Sequence, residues 1–500
     1  MLLKDLFIGT DVKLSADEKK VKIRGIAYNS QNIKNNYIFI AIKGFKSDGH
    51  NYIENAIEKG ATVVVVENHW LKNNKSKIEE YKEREIVILS SKNNRVLLSK
   101  ISANFYKNPS KKLKVIGVTG TNGKTTITYL IESILTNKGE KVGVLGTINY
   151  RIGKKVFPAV TTTPESLEIN KYLSLMLENK VKYVIMEVSS HSLELHRVDD
   201  IEFDYAIFTN LTEDHFDFHK NYENYFKAKE KLFSLLAKSS KKKKCAIINI
   251  DDKYGKKLAS RYKKRVEVIT YSLHNNGDLN AYDIELSFKG SKFKVKYKNS
   301  SYEFSINLPG RYNIYNSLAA IAVGIKEKFS IKKIQEGLLK LKSVPGRLEI
   351  IEKDGIYIGI DYAHTDDALK NVLNTIEELN PEKIITVFGA GGDRDKSKRS
   401  RMGRIVALLS DELIITSDNP RSENPKDIIK DIEKGVIEVR KKGYYKIVDR
   451  KKAIKKSIKM AERGTFILIA GKGHEDYQII GNRIIHFNDK EIVKKYLGVV

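Results

Sequence analysis

Apolar and polar positions alternate along this chain in two rhythms. Short unbroken apolar runs, among them NNYIFIAIKG (35–44), GATVVVVE (60–67) and REIVILS (84–90), are separated by stretches with helical spacing such as GHNYIENAIEKG (49–60). Runs of the first kind, bounded by turn residues, predict strands; those of the second predict helices. After the polar hinge YKNPSKK (106–112) a new strand begins, LKVIGVTG (113–120), and strands and helices alternate to about Leu341. The pair Pro345-Gly346 marks another break. Beyond it KIITVFGAGG (383–392), DELIITSD (411–418), YKIVD (445–449) and GTFILIAGKG (464–473) each end in glycine or polar residues, as the ligand loops of an open parallel sheet do. The pattern predicts an α/β protein of three domains, residues 1–110, 111–345 and 346–500.

Composition narrows the class. With 41% hydrophobic and 30% charged residues the chain reads as an ordinary globular protein able to bury its cores. Cys245 stands alone, which excludes an intramolecular disulfide and a cysteine-cluster metal site. No run reaches the length of a membrane span, and the N-terminus MLLKDLFIGTDVK lacks the apolar stretch of a signal peptide, so the expectation is a cytoplasmic protein without membrane insertion. A net charge of +28 suits an anionic partner: nucleic acid, nucleotide or a membrane surface. The lysines are nevertheless scattered, and even the densest run, Lys241 to Lys244, sits in a loop before CAIINI, which favours a solvated surface over a nucleic-acid groove.

The most informative stretch is KVIGVTGTNGKTTITYLIESIL (114–135): apolar strand, glycine-rich turn, Lys-Thr-Thr, amphipathic helix. Glycines let the backbone wrap closely around phosphates, the helix N-terminus offers free N–H groups, Lys124 brings a cation and Thr125 can hold magnesium. The spacing departs from the common GxxxxGK[ST] form, because Val118 occupies the usual first glycine. An ATP site over Gly120, Thr121, Asn122, Gly123, Lys124, Thr125 and Thr126 is expected. A second stretch, ITSDNPRSENP (415–425), should follow the strand DELIIT as a loop, since Asp418, Asn419 and Pro420 are turn formers. Taken alone, Arg421 there is better explained as a solvated loop arginine than by a bound carboxylate, although a guanidinium forks well onto a carboxylate.

The loop GTNGKT resembles that of the Mur ligases, ATP-dependent enzymes that build the peptide stem of peptidoglycan. TTTPESLEIN (161–170), IMEVSSHSLELHRV (185–198), FTNLTEDHFDFH (208–219), YFKAKEKLF (225–233), LPGRYNIYNSLAA (308–320), VPGRLE (344–349), DYAHTDDAL (361–369), GAGGDRDKSKRS (389–400) and AGKGHEDYQ (470–478) are similar to that family's successive signatures, in order, over about residues 20 to 490. The resemblance is closest to the branch that adds the third residue of the stem. It implies a UDP-sugar-binding N-terminal domain, a central P-loop ATPase domain and a C-terminal Rossmann-like domain that binds the amino acid. It further implies a monomeric ligase joining a diamino acid to UDP-N-acetylmuramoyl-L-alanyl-D-glutamate, with no nucleic-acid partner.

Amide formation from a carboxylate needs activation: transfer of the ATP γ-phosphoryl gives an acyl phosphate, which an amine then displaces. Both steps gather negative charge, so cations and preorganised donors should dominate. By resemblance Lys124, Glu187, His215 and Lys229 are catalytic, with His191 close to the same site. Thr125, Glu187, His215 and Lys229 would hold two Mg²⁺ ions. By composition KAKEKLF reads as one basic helix face; the resemblance implies instead that Lys229 carries a CO2-derived carbamate (N6-carboxylysine), an oxygen ligand of the kind Mg²⁺ prefers. Asn313, Arg347 and Asp361 would serve the nucleotide from the domain junction, and His364 is a further candidate. Leu348 and the Tyr-Ala pair of DYAH read as packing. Ser30, Thr162, Thr163, Ser189 and Arg197 match contacts to the UDP-sugar peptide, while Leu195 stands where the family often has glutamine and the arginine of the usual Asp-Ser-Arg is absent after Ser30. Arg394, Asp418, Asn419, Pro420, Arg421, Gly471 and Glu475 match contacts to the amino acid, Arg421 to the distal carboxylate of meso-diaminopimelate and Glu475 to its ammonium. L-Lysine has no such carboxylate and would leave the arginine unpaired; meso-lanthionine presents the same two ends, and the motif does not separate it from diaminopimelate.

Rival readings are an L-lysine-adding ligase, a ligase for D-alanyl-D-alanine or a folate polyglutamylating enzyme, against which DNPRSENP argues. From another class comes a basic P-loop, nucleic-acid-dependent ATPase, which predicts lysines gathered in one groove. A binding-only homologue is disfavoured by the presence of Lys124, Glu187, His215 and Lys229 together.

Overall fold

The computed structural model describes residues 1–45, 47–214, 216–275 and 277–499 of the chain. Among them, the strands form three large sheets and one hairpin, arranged in chain order. The first sheet pairs Gly25–Ala27, Tyr37–Ile40, Ala61–Glu67 and Val87–Ser91, all parallel and in sequence order. The run Ala61–Glu67 is buried at nearly every position, which is why it reads as continuous valine rather than alternating.

The second sheet has eleven strands. At its heart lie six parallel strands in the spatial order Glu267–Ser272, Cys245–Asn249, Tyr205–Phe208, Lys114–Thr119, Tyr183–Glu187 and Val142–Leu145. Two apolar clusters cover its two faces. One is built on Ile127, Ile131 and Ile134 of the helix Lys124–Asn137 with Leu318 and Ile321, the other on Leu173, Met176, Phe226 and Phe233. The flanks are antiparallel hairpins: Leu279–Ser287, which joins Glu267–Ser272 in parallel, with Gly290–Tyr297 and Ser300–Ile306 on one side, Asn149–Ile152 and Lys155–Pro158 on the other. These flanks depart from the simple strand and helix alternation expected of this region; in Leu279–Ser287 one face meets solvent and burial alternates instead of running on.

The third sheet has the order Glu349–Lys353, Ile356–Asp361, Thr465–Ala470, Lys383–Phe388, Glu412–Ile415 and Tyr444–Lys446, parallel except at its first pair. The hairpin Tyr477–Ile480 and Arg483–His486 follows it. In the second and third sheets the loops at the carboxyl ends of neighbouring parallel strands collect the polar motifs, as open α/β sheets require. No helix among the described residues is long and apolar enough to cross a membrane.

Candidate active site

The phosphate loop leaves the central strand Lys114–Thr119 and enters the helix Lys124–Asn137, whose N-cap Gly123 has φ +89°. Gly120, at φ +147°, could carry no side chain, because Thr209 of the adjacent strand end fills that space. Lys124 Nζ curls back to donate to the carbonyls of Gly120 (2.9 Å) and Thr121 (2.8 Å). Burial lowers its proton affinity, with Glu187 and Asp214 opposing and Arg347 adding to the effect.

One strand over, Glu187 ends Tyr183–Glu187 fully buried. Its Oε2 accepts from Thr125 Oγ1 (3.0 Å) and Thr147 Oγ1 (2.9 Å), and its Oε1 from Thr147 N–H (2.9 Å). Thr162 Oγ1 lies 3.1 Å from Thr147 Oγ1, and Thr163 Oγ1 donates to the Glu187 carbonyl at 2.8 Å. Arg347, on the connection to the third sheet, donates to Thr125 Oγ1 at 3.2 Å, so a C-terminal cation meets the phosphate loop directly.

Lys229 lies on the helix Tyr222–Lys238 and is 1% exposed, which rules out the basic-face reading of KAKEKLF at this position. Its Nζ donates to the Gly120 carbonyl at 2.8 Å and sits 4.2 Å from the centre of the Tyr225 ring. Burial first, then the neighbouring Lys124 charge, holds its ammonium well below the ordinary lysine range, with Asp214 acting the other way. His191 stacks on Phe218 at 4.2 Å between ring centres. His215 lies outside the described residues.

On the nucleotide side, Asn313 is buried on the helix Arg311–Lys326; its Nδ2 donates to Pro309 O at 2.8 Å and its Oδ1 accepts from Asn316 Nδ2 at 3.1 Å. Asn316 in turn fills the space beside Gly123. Asp361 ends its strand and accepts from the N–H groups of Leu348 and Ala363, both at 2.7 Å. Burial raises its proton affinity and the Arg347 charge opposes that. His474, behind Arg347, is pushed down to about 4 by burial and by that same guanidinium. Leu348 is buried, as expected of packing, and His364 Nδ1 lies 2.7 Å from the Tyr362 carbonyl.

At the carboxyl edge of the third sheet, three loops build a second polar pocket. Asp418 and Asn419 are buried there. Asn419 Nδ2 donates to Glu475 Oε2 (2.9 Å), and the fully buried Lys472 ammonium sits between Glu475 Oε2 (3.1 Å) and Asn419 Oδ1 (3.4 Å). Gly471 passes so close to Asp418 that a side chain would meet its carboxylate. Arg421, at φ +51° just after Pro420, is threaded onto the hairpin: its N–H donates to Ile479 O (3.1 Å) and its carbonyl accepts from Gly481 N–H (2.7 Å). Its guanidinium donates to Gly392 O at 2.7 Å, and Arg394 is exposed in that same glycine loop. Beneath the pocket Arg450 and Asp489, both fully buried, form a two-pronged pair at 2.8 and 2.7 Å, and Arg450 also donates to Ala470 O at 3.0 Å.

Facing the first sheet, Arg197 donates to Thr163 O at 2.9 Å and pairs with Glu165 at 2.8 Å, while Arg95 approaches the same carboxylate at 3.4 Å. Arg197 Nε finds no partner among the described residues. Ser189 caps the helix Ser190–Glu194 through Ser192 N–H (3.1 Å). Ser30, buried in the turn Ser30–Asn32, belongs to the first domain and does not join this network.

Family models match in chain order: the Mur ligase family catalytic domain over residues 22–106, the Mur ligase middle domain over 118–324 and the Mur ligase glutamate ligase domain over 346–473. The chain is 45% identical to a UDP-N-acetylmuramoyl-L-alanyl-D-glutamate–2,6-diaminopimelate ligase of Clostridium acetobutylicum, over 99% of each chain. The chain belongs to the Mur ligase family. Another such ligase, from Fusobacterium nucleatum, is 45% identical over 98% of this chain and 97% of its own. A solved structure of a ligase of the same name superposes with a TM-score of 0.69 at 28% identity, covering 100% of this chain and 99% of that one. The Thermotoga maritima MurF ligase in complex with ADP shares the fold, with a TM-score of 0.61 at 18% identity over 95% of this chain and 98% of its own.

Within this Mur ligase, Lys124 and Lys229 meet on the Gly120 carbonyl, Thr125, next to Lys124 in the chain, is hydrogen-bonded to Glu187 and Arg347, and a separate network joins Asp418, Asn419 and Glu475 with Arg421 beside it. Thr147, Glu165 and Lys472 join these networks, and Asn316 packs beside Gly123, yet the sequence does not single them out. Glu165, Asn316 and Lys472 lie inside recognised motifs that assign them no role, whereas Thr147 reveals itself only through contacts far apart in sequence.

Proposed function

We propose that this chain is the ATP-dependent ligase that adds meso-diaminopimelate to UDP-N-acetylmuramoyl-L-alanyl-D-glutamate in the cytoplasmic assembly of peptidoglycan. The observation that carries this reading is Arg421, held on the hairpin with its guanidinium on the Gly392 carbonyl of the glycine loop, next to the Asp418, Asn419 and Glu475 cluster, in a chain 45% identical end to end to ligases of that name. The distal carboxylate of the diamino diacid pairs with Arg421 and the distal ammonium meets Glu475. A ligand lacking that carboxylate leaves the half-buried guanidinium with the Gly392 carbonyl but without an anionic partner, and so binds less well. meso-Lanthionine offers the same groups and is accepted on the same argument.

The division of labour follows the three sheets, taken as domains 1–110, 111–345 and 346–500. The loop from Gly120 to Thr126 receives the ATP phosphates on its N–H groups, Asn313 and Asp361 receive base and ribose, and Arg347 steadies the phosphates. Thr162, Thr163, Ser189, Arg197 and, from the first domain, Ser30 receive the acceptor. The donor set around Glu187 and Thr125 is all oxygen, which fits Mg²⁺, and Lys229 is the buried, readily neutral amine that carbamate formation requires. Bound Mg²⁺ would neutralise the charge gathering on the transferred phosphoryl group. Lys124 and Arg347 add positive charge to that same region, and His215 completes the set. Release of the Lys124 ammonium from the Gly120 and Thr121 carbonyls frees it for a phosphate.

The test is phosphate release by the purified protein with ATP, Mg²⁺ and the UDP-muramoyl dipeptide, comparing meso-diaminopimelate, meso-lanthionine and L-lysine. Turnover with the diacids and not with lysine, abolished by Arg421→Ala, is expected. Equal turnover with lysine would overturn the role of Arg421, and no turnover with any of them would overturn the ligase reading.

A further inference from the structure

The helix Asp366–Glu377 of the third domain lies along the central domain and touches it at three levels. At its far end Glu378 pairs with Arg311 at 3.4 Å across an exposed gap. In the middle Thr375 presses against Gly310, which at φ +91° and with that neighbour has room for no side chain. At the near end Asp367 Oδ2 accepts from Thr212 Oγ1 at 2.9 Å, and Asn371 Nδ2 of its own helix steadies the same oxygen at 3.2 Å.

Thr212 is no ordinary surface residue. Its N–H donates to Thr121 Oγ1 at 3.1 Å, and Asn122 Nδ2 lies 3.5 Å from its hydroxyl, so it rests on two residues of the phosphate loop. The loop, Thr212, Asp367 and the helix behind it form one hydrogen-bonded chain between the site where a phosphoryl group is transferred and the domain carrying the amino-acid pocket. Exposed polar contacts alone contribute little to stability. A half-buried hydroxyl-to-carboxylate bond seated on the phosphate loop instead fixes an orientation, and an acyl phosphate tolerates little misalignment or water.

We infer that Asp367 is a positioning residue for amide formation: through Thr212 it latches the amino-acid domain onto the phosphate loop, so that the amine rather than water reaches the activated carboxylate. The inference rests on the ligase reading for its chemistry but not for its geometry.

The experiment uses the full-length protein and the variants Asp367→Ala, Asp367→Asn, Thr212→Val and the Ala/Val double. Phosphate released per amide formed should be near one in the parent and rise several-fold in Asp367→Ala, with amide formation falling about 10-fold or more. Asn retains an acceptor oxygen for Thr212, so Asp367→Asn should keep the parental ratio. Thr212→Val should match Asp367→Ala, and the double variant should be no worse than either single change. A ratio that stays near one in Asp367→Ala, or additive losses in the double variant, would overturn the latch; a fold defect alone lowers amide and phosphate together and counts against it. Small-angle scattering of the unliganded proteins tests the same contact without catalysis. Equal expansion of Asp367→Ala and Thr212→Val with none in Asp367→Asn supports the latch even if the ligase assay fails, and no expansion in either overturns it.

Discussion

The ammonium groups of Lys124 and Lys229 donate to one oxygen, the carbonyl of Gly120, at 2.9 and 2.8 Å. Two cations so placed repel, and the fully buried one gives up its proton more easily. The unfolded chain therefore binds a proton at position 229 that the native chain does not, and native stability rises with pH from the folded value of Lys229 up toward 10.5. Lys229→Met should flatten that slope in thermal unfolding. Bicarbonate should raise the melting temperature of the parent and leave Lys229→Met unmoved, because a carbamate replaces repulsion from Lys124 with attraction. Lys229→Ala should lose about 10²-fold or more in turnover, with partial rescue by formate or acetate.

Glu187 is oriented by Thr147 from two sides, through N–H and Oγ1. Thr147→Val keeps the first contact and removes the second. The Mg²⁺ concentration giving half-maximal turnover should rise about 10-fold, while KM for ATP measured at saturating Mg²⁺ stays close to the parental value. An unchanged Mg²⁺ requirement would assign Thr147 to packing.

Arg421 combines a left-handed backbone with the side chain proposed to meet the distal carboxylate of the diamino diacid. Arg421→Gly should relieve backbone strain of about 1 kcal/mol and leave the protein at least as stable, yet reduce kcat/KM for the diamino diacid about 10²-fold or more. Unfolding temperature and steady-state rates measured on one preparation separate the two effects.

Glu423 is gripped by Arg399 through both carboxylate oxygens, at 2.8 and 3.0 Å, which holds its acid form down to about 2. A depressed carboxylate stabilises the native state above its unfolded value of 4.5, and that contribution disappears as pH falls from 4.5 through about 2. Glu423→Gln should therefore be less stable than the parent at pH 7, with the gap narrowing by pH 3.

The phosphate loop was legible because its chemistry is local: strand, glycines, lysine and helix start follow one another within a single turn of chain. The loop at 418–421 was legible as a turn from its residues; its proposed part in binding substrate came only from the family resemblance. Lys229 misled by composition, since its burial depends on a helix packing against a strand more than a hundred residues earlier in sequence. Thr147, Thr212 and Lys472 carry no local signal, because each acts through partners brought near only by the finished fold or through a motif whose internal roles spacing cannot rank. The antiparallel flank at 279–306 escaped the strand and helix rhythm for a simpler reason: one-sided strands alternate, and alternation in lysine-rich sequence resembles loop.

The buried Arg450–Asp489 pair ties the helix Asp489–Leu497 to the floor of the amino-acid pocket through the Ala470 carbonyl. Removing residues 489 onward would strand a guanidinium in the interior at about 3–5 kcal/mol and loosen the strand end that leads into Gly471. If the cluster of Asp418, Asn419 and Glu475 binds the amino acid as proposed, its floor rests on a segment with no recognisable motif, and tags or truncations at that end should register first as a poorer KM for the amino acid.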